Sequence, residues 1–385
     1  MIRVMIDALS QVGAGSRTYL HHVLPRLPGV DSRFEFTILW PTNLVLPKAV
    51  EEDPRMIIKR IRVPQKPALF RLLHQQLVIP FLAWKMDLFY APVDIAPIFM
   101  FCPVVLAIRN PNPFYDISRP FRRAFYYAVK KTIIRVSAKR AEEVIFVSRH
   151  SRDHIQSQLN LPDQKTSVIY HGIDAKKFTP QEGKHFERSL PIKIKNKGYI
   201  LCVSTVTPHK NMETLIHAYA SLPIVLREKH TLVIAGRIAS RAYYHQLLDQ
   251  AARMRVADQV IFMGEYPHEI IQELYFGARI FVLPSFLETF GHPLVEAMAA
   301  GVPVIASNES AIPEILGGSG ILFDPGSPEE LTRHMHELLL DDKLINRLST
   351  QGQIRAGSFS WDRTVRGLLE VFSSVISRGP VRIGK

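Results

Sequence analysis

Two glutamates separated by seven residues offer the clearest chemistry in this sequence. Glu288 and Glu296 belong to the segment PSFLETFGHPLVEAMAAG, which follows an apolar run and opens into a predicted helix near His292 or Pro293. Gly291 permits a close backbone approach, and free amides at a helix start can receive a phosphate. One carboxylate could then accept hydrogen bonds from a sugar ring and the other from a ribose diol. From spacing alone, a capping glutamate and a surface glutamate on an ordinary loop explain the pair as well.

The elements that would position this pair follow an alternating pattern. Short apolar runs alternate with helical periodicity along the chain, which predicts parallel sheets with helices on both faces. A polar, lysine-rich stretch near residues 175–197 resembles a linker, and the alternation then starts again. We therefore predict two doubly wound α/β domains, residues 1–190 and 191–360, and a terminal helix within 361–385 that crosses back to the first domain. Such sheets bind ligands at the carboxyl ends of their strands, so we expect the site in the cleft between the domains.

Composition excludes several classes of protein. The chain has 385 residues, 47% hydrophobic and 22% charged, which is a globular balance. Its two cysteines, Cys102 and Cys202, are too few for a disulfide framework or a cysteine zinc site. The N-terminus lacks a signal-peptide layout and no long uncharged apolar run occurs, so we expect a cytoplasmic protein. The histidines show no H-E-x-x-H spacing and the serines no G-x-S-x-G elbow, so we predict neither a metal site nor a serine hydrolase.

Positive charge is concentrated in the first half. Residues 1–190 hold 28 lysines and arginines against 16 acidic residues, while residues 191–385 hold 20 against 19. Eight of the basic residues lie within 119–140, mixed with apolar residues at helical spacing. A basic amphipathic helix can lie on an anionic membrane surface, contact nucleic acid, or simply be a solvated helix with an apolar side in the core. No nucleic-acid-binding motif favours the second alternative.

The carboxylate pair resembles a known signature once its neighbours are considered. Glu288-x7-Glu296 looks like the E-x7-E signature of the GT4-type retaining glycosyltransferases, which have the GT-B fold. The downstream IPEILGGSGILFDP and the upstream TPHKNMETLIHAY, which contains Lys210, resemble further motifs of that family. YHGIDAKKF and FVSRHS resemble the end of its first domain. The resemblance is close from Gly198 to Pro325 and looser before that.

The resemblance implies roles for these residues. Glu288 would face the donor sugar, Glu296 would bind the ribose hydroxyls, and Lys210 would place a positive charge beside the diphosphate. Neutralising the leaving diphosphate is then the main catalytic task. The sequence contains no D-x-D motif, which agrees with a metal-independent site without a cofactor. Other implied donor contacts are the amides of Phe290 and Gly291, followed by Leu294 and Val295 near the diphosphate and ribose.

Two places depart from the family pattern. Many members carry an arginine shortly before the phosphate lysine, where this chain has Ser204 or Thr205. His209 or Arg237 could supply the missing donor. We expect the nucleobase to pack near Phe262–Tyr266, after the strand that starts at Val260.

The second departure lies in the first domain. The family often places a histidine where this chain has Arg109 and Asn110. Asn110 could hydrogen-bond a sugar hydroxyl and Arg109 could meet a phosphate, but N-P-N-P is equally typical of a turn. The loop SQVGAGSRT, with Gly13 and Gly15, would lie over the donor phosphate in this family, although it falls short of a G-x-G-x-x-G fingerprint.

We thus predict a retaining enzyme that moves a sugar from a nucleotide-diphospho-sugar to a glycan or lipid-linked acceptor in cell-surface polysaccharide synthesis. GDP-mannose is the first choice of donor, with UDP- and dTDP-sugars as alternatives. The enzyme could act at the cytoplasmic face of the membrane, with segment 119–140 as a peripheral contact and no nucleic-acid partner. A non-catalytic GT-B scaffold and a sugar-nucleotide epimerase remain alternatives.

Overall fold

The structure is a computed structural model in which residues 1–9, 14–62, 73, 75–110, 112–115, 121–179, 198–267 and 271–379 are described, without the side chains of 14–16 and 121–123. The chain divides into two compact units. The first unit comprises Met1–Gly172 together with the chain from Trp361 onward, and the second comprises Ile173–Ser360.

A parallel sheet of seven described strands forms the centre of the first unit. Its order in space is β3-β2-β1-β4-β5-β6-β7. The strands are β1 Ile2–Asp7, β2 Phe34–Pro41, β3 Met56–Ile61, β4 Leu88–Ala91, β5 Val104–Ile108, β6 Glu143–Phe146 and β7 Thr166–Val168.

The second unit repeats this plan with a parallel sheet of six described strands. Its order in space is β10-β9-β8-β11-β12-β13. The strands are β8 Tyr199–Val203, β9 Thr231–Ala235, β10 Val260–Gly264, β11 Ala278–Leu283, β12 Val304–Ser307 and β13 Ile321–Phe323.

Helices connect these strands because parallel neighbours require crossover connections. Those before the second unit are α1 Ala14–Val23, α2 Leu27–Val30, α3 Lys48–Glu51, α4 Ile79–Leu82, α5 Phe121–Arg140 and α6 Arg149–Leu159. Those of the second unit are α7 Met212–Ala220, α8 Ile224–Lys229, α9 Arg241–Arg253, α10 Gln272–Phe276, α11 His292–Ala299, α12 Ile312–Leu316, α13 Pro328–Leu340 and α14 Asp342–Ala356. The last helix is α15, Trp361–Arg378.

The central strands are buried on both faces, which explains their continuous apolar sequences. Every residue of β5 is buried, and β8 is buried from Tyr199 to Cys202. Helix α15 completes the core of the first unit. Its Phe372 ring packs 5.2 Å from that of Tyr90, centroid to centroid, and Trp361 is buried in the same cluster.

The units divide earlier in the chain than the predicted boundary at residue 190. Residues from Ile173 group with the second unit, where Ile173 pairs with Ser360 as a bridge. Phe178 is buried there, with its ring 5.7 Å from that of Tyr275. Phe178 lies within the segment that the polar composition predicted to be a linker, and Ile173 lies just before it. Residues 180–197 of that segment lie outside the described part of the chain.

None of the described helices combines the length and the apolar composition needed to cross a membrane.

Candidate functional site

The order of the second sheet brings two distant loops together. From β8 the chain adds β9 and β10 on one side, and it then returns to add β11, β12 and β13 on the other. The loops after β8 and β11 therefore leave neighbouring strands at the same edge of the sheet. Doubly wound sheets bind ligands at this reversal of strand order. Lys210 lies in the first of these loops, and Glu288 lies in the second.

The loop that carries Lys210 is fixed by Asn211. A short 3₁₀ helix, Pro208–Lys210, ends at Asn211, which adopts a left-handed conformation with φ of 54°. The buried Asn211 side chain donates hydrogen bonds to the carbonyls of Pro284, at 3.1 Å, and Pro325, at 2.8 Å. One side chain thus ties the lysine loop to two other loops at the same edge.

Lys210 and Glu288 form an ion pair. Lys210 Nζ lies 2.6 Å from Glu288 Oε1, and the two side chains are 14% and 13% exposed. Ser285 Oγ donates to the same carboxylate oxygen at 3.1 Å, and the Glu288 amide donates to Ser310 Oγ at 2.9 Å. The carboxylate therefore has a fixed position beside a fixed positive charge, with both groups partly accessible.

Gly291 makes the turn into α11. Its φ of 79° is a left-handed conformation that favours glycine. The amides of Leu294 and Val295 donate to the Gly291 carbonyl, and both side chains are buried. These two residues offer neither an exposed side chain nor an amide without a hydrogen-bond partner. Phe290 is likewise buried, with its ring 5.5 Å from that of Phe359. The donor contacts assigned to this loop stay predictions.

Glu296 has a partner that the sequence did not indicate. The hydroxyl of Tyr275, on α10, donates to Glu296 Oε2 at 2.7 Å. Tyr275 is fully buried, and this burial, followed by the nearby Glu296 charge, raises the pKa of its hydroxyl well above the ordinary value. The hydroxyl thus remains a proton donor to the carboxylate across the neutral range.

Three further predicted donor residues lie near the ends of β8, β9 and β10. The Arg237 carbonyl accepts from the Val206 amide at 2.9 Å, which places Arg237 beside the loop that contains Thr205. The Arg237 side chain is exposed, whereas the Tyr266 hydroxyl oxygen is buried. Gly236 lies between the end of β9 and Arg237. Only glycine fits at this position, because an added Cβ would lie 2.0 Å from the Ser204 carbonyl oxygen. Nucleotide contacts of these residues stay predictions.

In the first unit, the segment around Asn110 is a turn organised by Asp94. Asn110 Oδ1 accepts from the Asn112 amide at 3.1 Å. This hydrogen bond is typical of the turn that the N-P-N-P sequence offered as one of two interpretations. Asp94 Oδ1 accepts from the amides of Arg109 and Asn110, each at 3.0 Å, and its Oδ2 accepts from Lys130 Nζ at 2.9 Å. Asp94 is buried with φ of 53°. The catalytic role of Asn110 stays a prediction, and Asp94 is an organising residue that the sequence analysis missed.

The glycine loop after β1 is only partly described. Gly13 lies outside the described residues. Gly15 lies in the first turn of α1 rather than in the connecting loop where the sequence analysis put it, because the helix already begins at Ala14.

The basic segment 119–140 contains α5, and several of its charges have partners within the unit. Lys130 pairs with Asp94, and Lys131 Nζ donates to Gln158 Oε1 at 2.5 Å. Arg135 donates to the Gln158 carbonyl at 2.9 Å. These three charges therefore anchor the helix, whereas Lys139 and Arg140 are exposed at its end. Arg119 lies outside the described residues.

Within the described residues, no three His, Cys, Asp or Glu side chains converge as metal ligands would. The metal independence of the site stays a prediction.

Comparison with known families matches both halves of the chain. The sequence profile "Glycosyltransferase Family 4" matches residues 15–177, and "Glycosyl transferases group 1" matches residues 185–355. The chain belongs to the GT4-type glycosyltransferases. The predicted fold class is confirmed, since two doubly wound α/β units with parallel sheets are the GT-B architecture of this family.

Two relatives of this GT4-type chain are bacterial mannosyltransferases. It is 32% identical to O-antigen chain mannosyltransferase B of Escherichia coli, over 58% of this chain and 58% of that protein. It is 28% identical to the serotype-specific mannosyltransferase WbdA of Escherichia coli, over 63% of this chain and 29% of that protein. The matches thus span less than two thirds of either relative.

One solved structure has a similar fold over nearly the whole chain. HepE from Anabaena, determined in complex with UDP-glucose, superimposes with a TM-score of 0.75 at 19% identity, covering 97% of this chain and all of that one. At this identity the likeness establishes the fold.

Proposed function

We propose that this protein is a retaining glycosyltransferase that transfers mannose from GDP-mannose to a glycan or lipid-linked saccharide in cell-surface polysaccharide synthesis. The observation that carries the proposal is the ion pair between Lys210 and Glu288 at the strand-order reversal, where a doubly wound sheet binds its ligand. A lysine beside a carboxylate matches a donor with an anionic diphosphate and a hydroxylated sugar.

In this proposal the donor replaces part of the ion pair. The diphosphate takes the positive charge of Lys210, and Glu288 turns to the hydroxyls of the transferred sugar. Fixed positive charge stabilises the nucleoside diphosphate as it leaves, which is the largest electrostatic change in the reaction. The leaving phosphate oxygen assists deprotonation of the acceptor hydroxyl on the same face of the sugar, so the anomeric configuration is retained without a protein nucleophile. Glu296, held by Tyr275, binds the ribose diol.

The identity of the sugar rests on the relatives. Two of them are named mannosyltransferases, and one of these acts on the O-antigen chain. The HepE structure contains UDP-glucose, so a UDP-sugar is the alternative donor. The excess positive charge of residues 1–190 favours an anionic or membrane-bound acceptor. We include in the proposal a peripheral contact of α5 with the cytoplasmic face of the membrane.

The test combines donor binding with turnover. Thermal shift is measured with GDP-, UDP- and dTDP-sugars on the wild type, Lys210→Met, Glu288→Gln and the control Glu337→Gln, an exposed glutamate on α13. We expect GDP-mannose to stabilise the wild type and the control. Lys210→Met should weaken this binding about tenfold or more, because a charge-assisted contact to the diphosphate is lost. Transfer to a mannose-terminated oligosaccharide should fall about 100-fold in Glu288→Gln.

The outcomes discriminate among the alternatives. A thermal shift with UDP-glucose alone would mean that the donor is a UDP-sugar rather than GDP-mannose, while the proposed reaction class would stand. Conversion of the donor to a free epimer without acceptor would indicate an epimerase. No shift and no transfer with any donor, in the presence of acceptor and lipid vesicles, would overturn the proposal in favour of a scaffold.

A further inference from the structure

Two segments of the first unit carry four large aromatic side chains that are exposed to solvent. Phe81, Trp84, Phe99 and Phe101 are between 63% and 75% exposed. We call these four residues the aromatic patch. Contiguous exposed apolar surface on a folded protein is typical of an interaction site, because such side chains are normally buried.

The patch is drawn from two segments that approach each other at Phe81 and Phe101. Phe81 and Trp84 belong to α4 and the turn that follows it, and Phe99 and Phe101 belong to the connection between β4 and β5. The rings of Phe81 and Phe101 lie 6.1 Å apart, centroid to centroid. Gln76, shortly before α4, accepts from the Ile98 amide at 2.9 Å through its Oε1, which ties the chain before α4 to the connection between β4 and β5.

A packed base keeps the aromatic side chains outside the core. Ile79 and Ala83 are buried, helical spacing puts Phe81 on the opposite side of α4, and Trp84 is exposed in the turn that follows the helix. In the other segment, Ala96 is buried and both donates to and accepts from Ser137 Oγ on α5. Buried residues of the same two segments therefore hold the exposed rings in place.

Positive charge borders the patch. The Arg140 guanidinium carbon lies 6.0 Å from the Phe99 ring centroid, and Lys85 Nζ lies 5.2 Å from that of Trp84. Neither cation has a carboxylate within 4 Å among the described residues. The nearby Asp87 is instead held by Arg3, whose amide donates to it at 2.7 Å.

The same character continues along α5. Phe125 and Val129 are exposed, and at 100° per residue they lie on the same side of the helix as Arg140. Ile134 and Ala138, on the opposite side, are fully buried. Exposed apolar side chains thus extend from the aromatic patch past Arg140 to the other end of α5.

We propose that the aromatic patch inserts into the interfacial region of an anionic lipid bilayer. Aromatic rings prefer the headgroup level of a membrane, and lysine and arginine beside them are attracted to anionic lipids. The positive charges of Lys85 and Arg140 match anionic headgroups, which favours a bilayer over a neutral apolar partner. The inference extends the membrane contact proposed for α5 by naming residues that enter the lipid, and it does not depend on catalysis.

The chain supplies its own probe for this insertion. It has three tryptophans, of which Trp40 and Trp361 are buried and Trp84 is exposed. Full-length protein is titrated with phosphatidylcholine vesicles with and without 30% phosphatidylglycerol. We expect anionic vesicles to shift tryptophan emission to shorter wavelengths and to reduce acrylamide quenching several-fold. Trp84→Phe should lose this signal but still sediment with the vesicles.

Variants test whether the rings carry the binding. Trp84→Ala with Phe99→Ala should lower partitioning onto anionic vesicles about tenfold, since two interfacial aromatics are lost. The control, Ile224→Ala with Val225→Ala, removes two comparably exposed side chains of the second unit and should bind as the wild type does. Unchanged donor-induced thermal shifts in all variants would show that they are folded.

Two results would overturn the inference. Vesicle binding with acrylamide quenching of Trp84 unchanged would mean that charge alone holds the protein at the surface. Equal binding of the wild type and the double aromatic variant would mean the same. Neither result requires turnover, so failure of the proposed transferase activity would be seen separately, in the donor assay.

Discussion

The Tyr275 hydroxyl donates a 2.7 Å hydrogen bond to Glu296 Oε2 from a fully buried position. It fixes one oxygen of the carboxylate that we assign to the ribose. In Tyr275→Phe the carboxylate loses this restraint, and a hydrogen bond to a charged group contributes about 1.5–3 kcal/mol. We expect the Kd for the nucleoside diphosphate to rise about tenfold and the preference over its 2′-deoxy analogue to shrink, measured by calorimetry.

A matched variant separates positioning from stability. Tyr219 is another buried tyrosine of the second unit, whose hydroxyl donates to the His230 carbonyl at 2.9 Å. Tyr219→Phe should lower stability to a similar degree while leaving nucleotide affinity and deoxy discrimination unchanged. If both variants bind nucleotide as the wild type does, Tyr275 has no role at the ribose.

Asn211 joins three loops at the edge of the second sheet. Asn211→Gly keeps the left-handed backbone accessible but removes the hydrogen bonds to the Pro284 and Pro325 carbonyls. We expect the free energy of unfolding of the second unit to fall by about 2–4 kcal/mol, because buried carbonyls lose a donor. Asn211→Ala should cost about 1 kcal/mol more, since alanine is strained at φ of 54°. Guanidinium unfolding curves would show the order; equal stability of both variants would contradict it.

The buried Asp94 carboxylate and the largely buried Lys130 ammonium form an ion pair at the carboxyl ends of the strands of the first sheet. Asp94→Ala leaves the Lys130 ammonium and the amides of Arg109 and Asn110 without their acceptor. Breaking such a pair from one side costs about 3–5 kcal/mol. Lys130→Met should cost less, because Asp94 keeps both amides. A double-mutant cycle on unfolding free energies should give a coupling of about 1–3 kcal/mol, and additive losses would contradict the pairing.

The two cysteine thiols should be unreactive in the native protein. Burial, with smaller contributions from nearby carboxylates, raises the pKa of Cys102 to about 12, and burial does the same for Cys202. At pH 8 the thiolate fraction is then on the order of 10⁻⁴. We expect almost no reaction with a chromogenic disulfide at pH 8, and two thiols per chain after unfolding in guanidinium. Rapid native reaction would mean that a thiol is exposed.

The same pKa shifts determine whether folding stability rises or falls with pH. A thiol ionises at about pH 8.5 in the unfolded chain but only near 12 in the folded one. The unfolded state therefore loses protons first as the pH rises, and folding stability should decline above about pH 8.5. Cys202→Ala should melt with a smaller decrease between pH 8 and pH 10 than the wild type does.

Much of the fold could be predicted because its signals are local. Alternating apolar runs and helical periodicity determine the doubly wound class, and the chain order of motifs places Lys210 and Glu288 on neighbouring loops. The partners of these residues could not be predicted. Tyr275 occupies an apolar position of a helix, and nothing within that helix indicates that its hydroxyl reaches α11. Asp94 appears only as an interruption of an apolar stretch, since its three donors come from distant segments.

Local patterns also failed where a segment changes its role by packing. The polar stretch near residues 175–197 has the composition of a linker, but Phe178 within it is buried in the second unit. The Gly291 carbonyl accepts hydrogen bonds from the Leu294 and Val295 amides, a pairing that the sequence analysis did not include. Both outcomes depend on geometry over a few ångströms that spacing alone does not contain.

Helix α15 determines when the core of the first unit can be completed during protein synthesis. Trp361, Leu368 and Phe372 are buried in the same core as strands made more than 300 residues earlier. During translation, the core of the first unit cannot be completed until the second unit has been synthesised, because α15 follows that unit in the chain. A chain that stops at Ser360 would keep all of the second unit but leave the apolar face of the first exposed. Cellular quality control should therefore recognise a chain truncated after the second unit by the exposed apolar surface of the first unit.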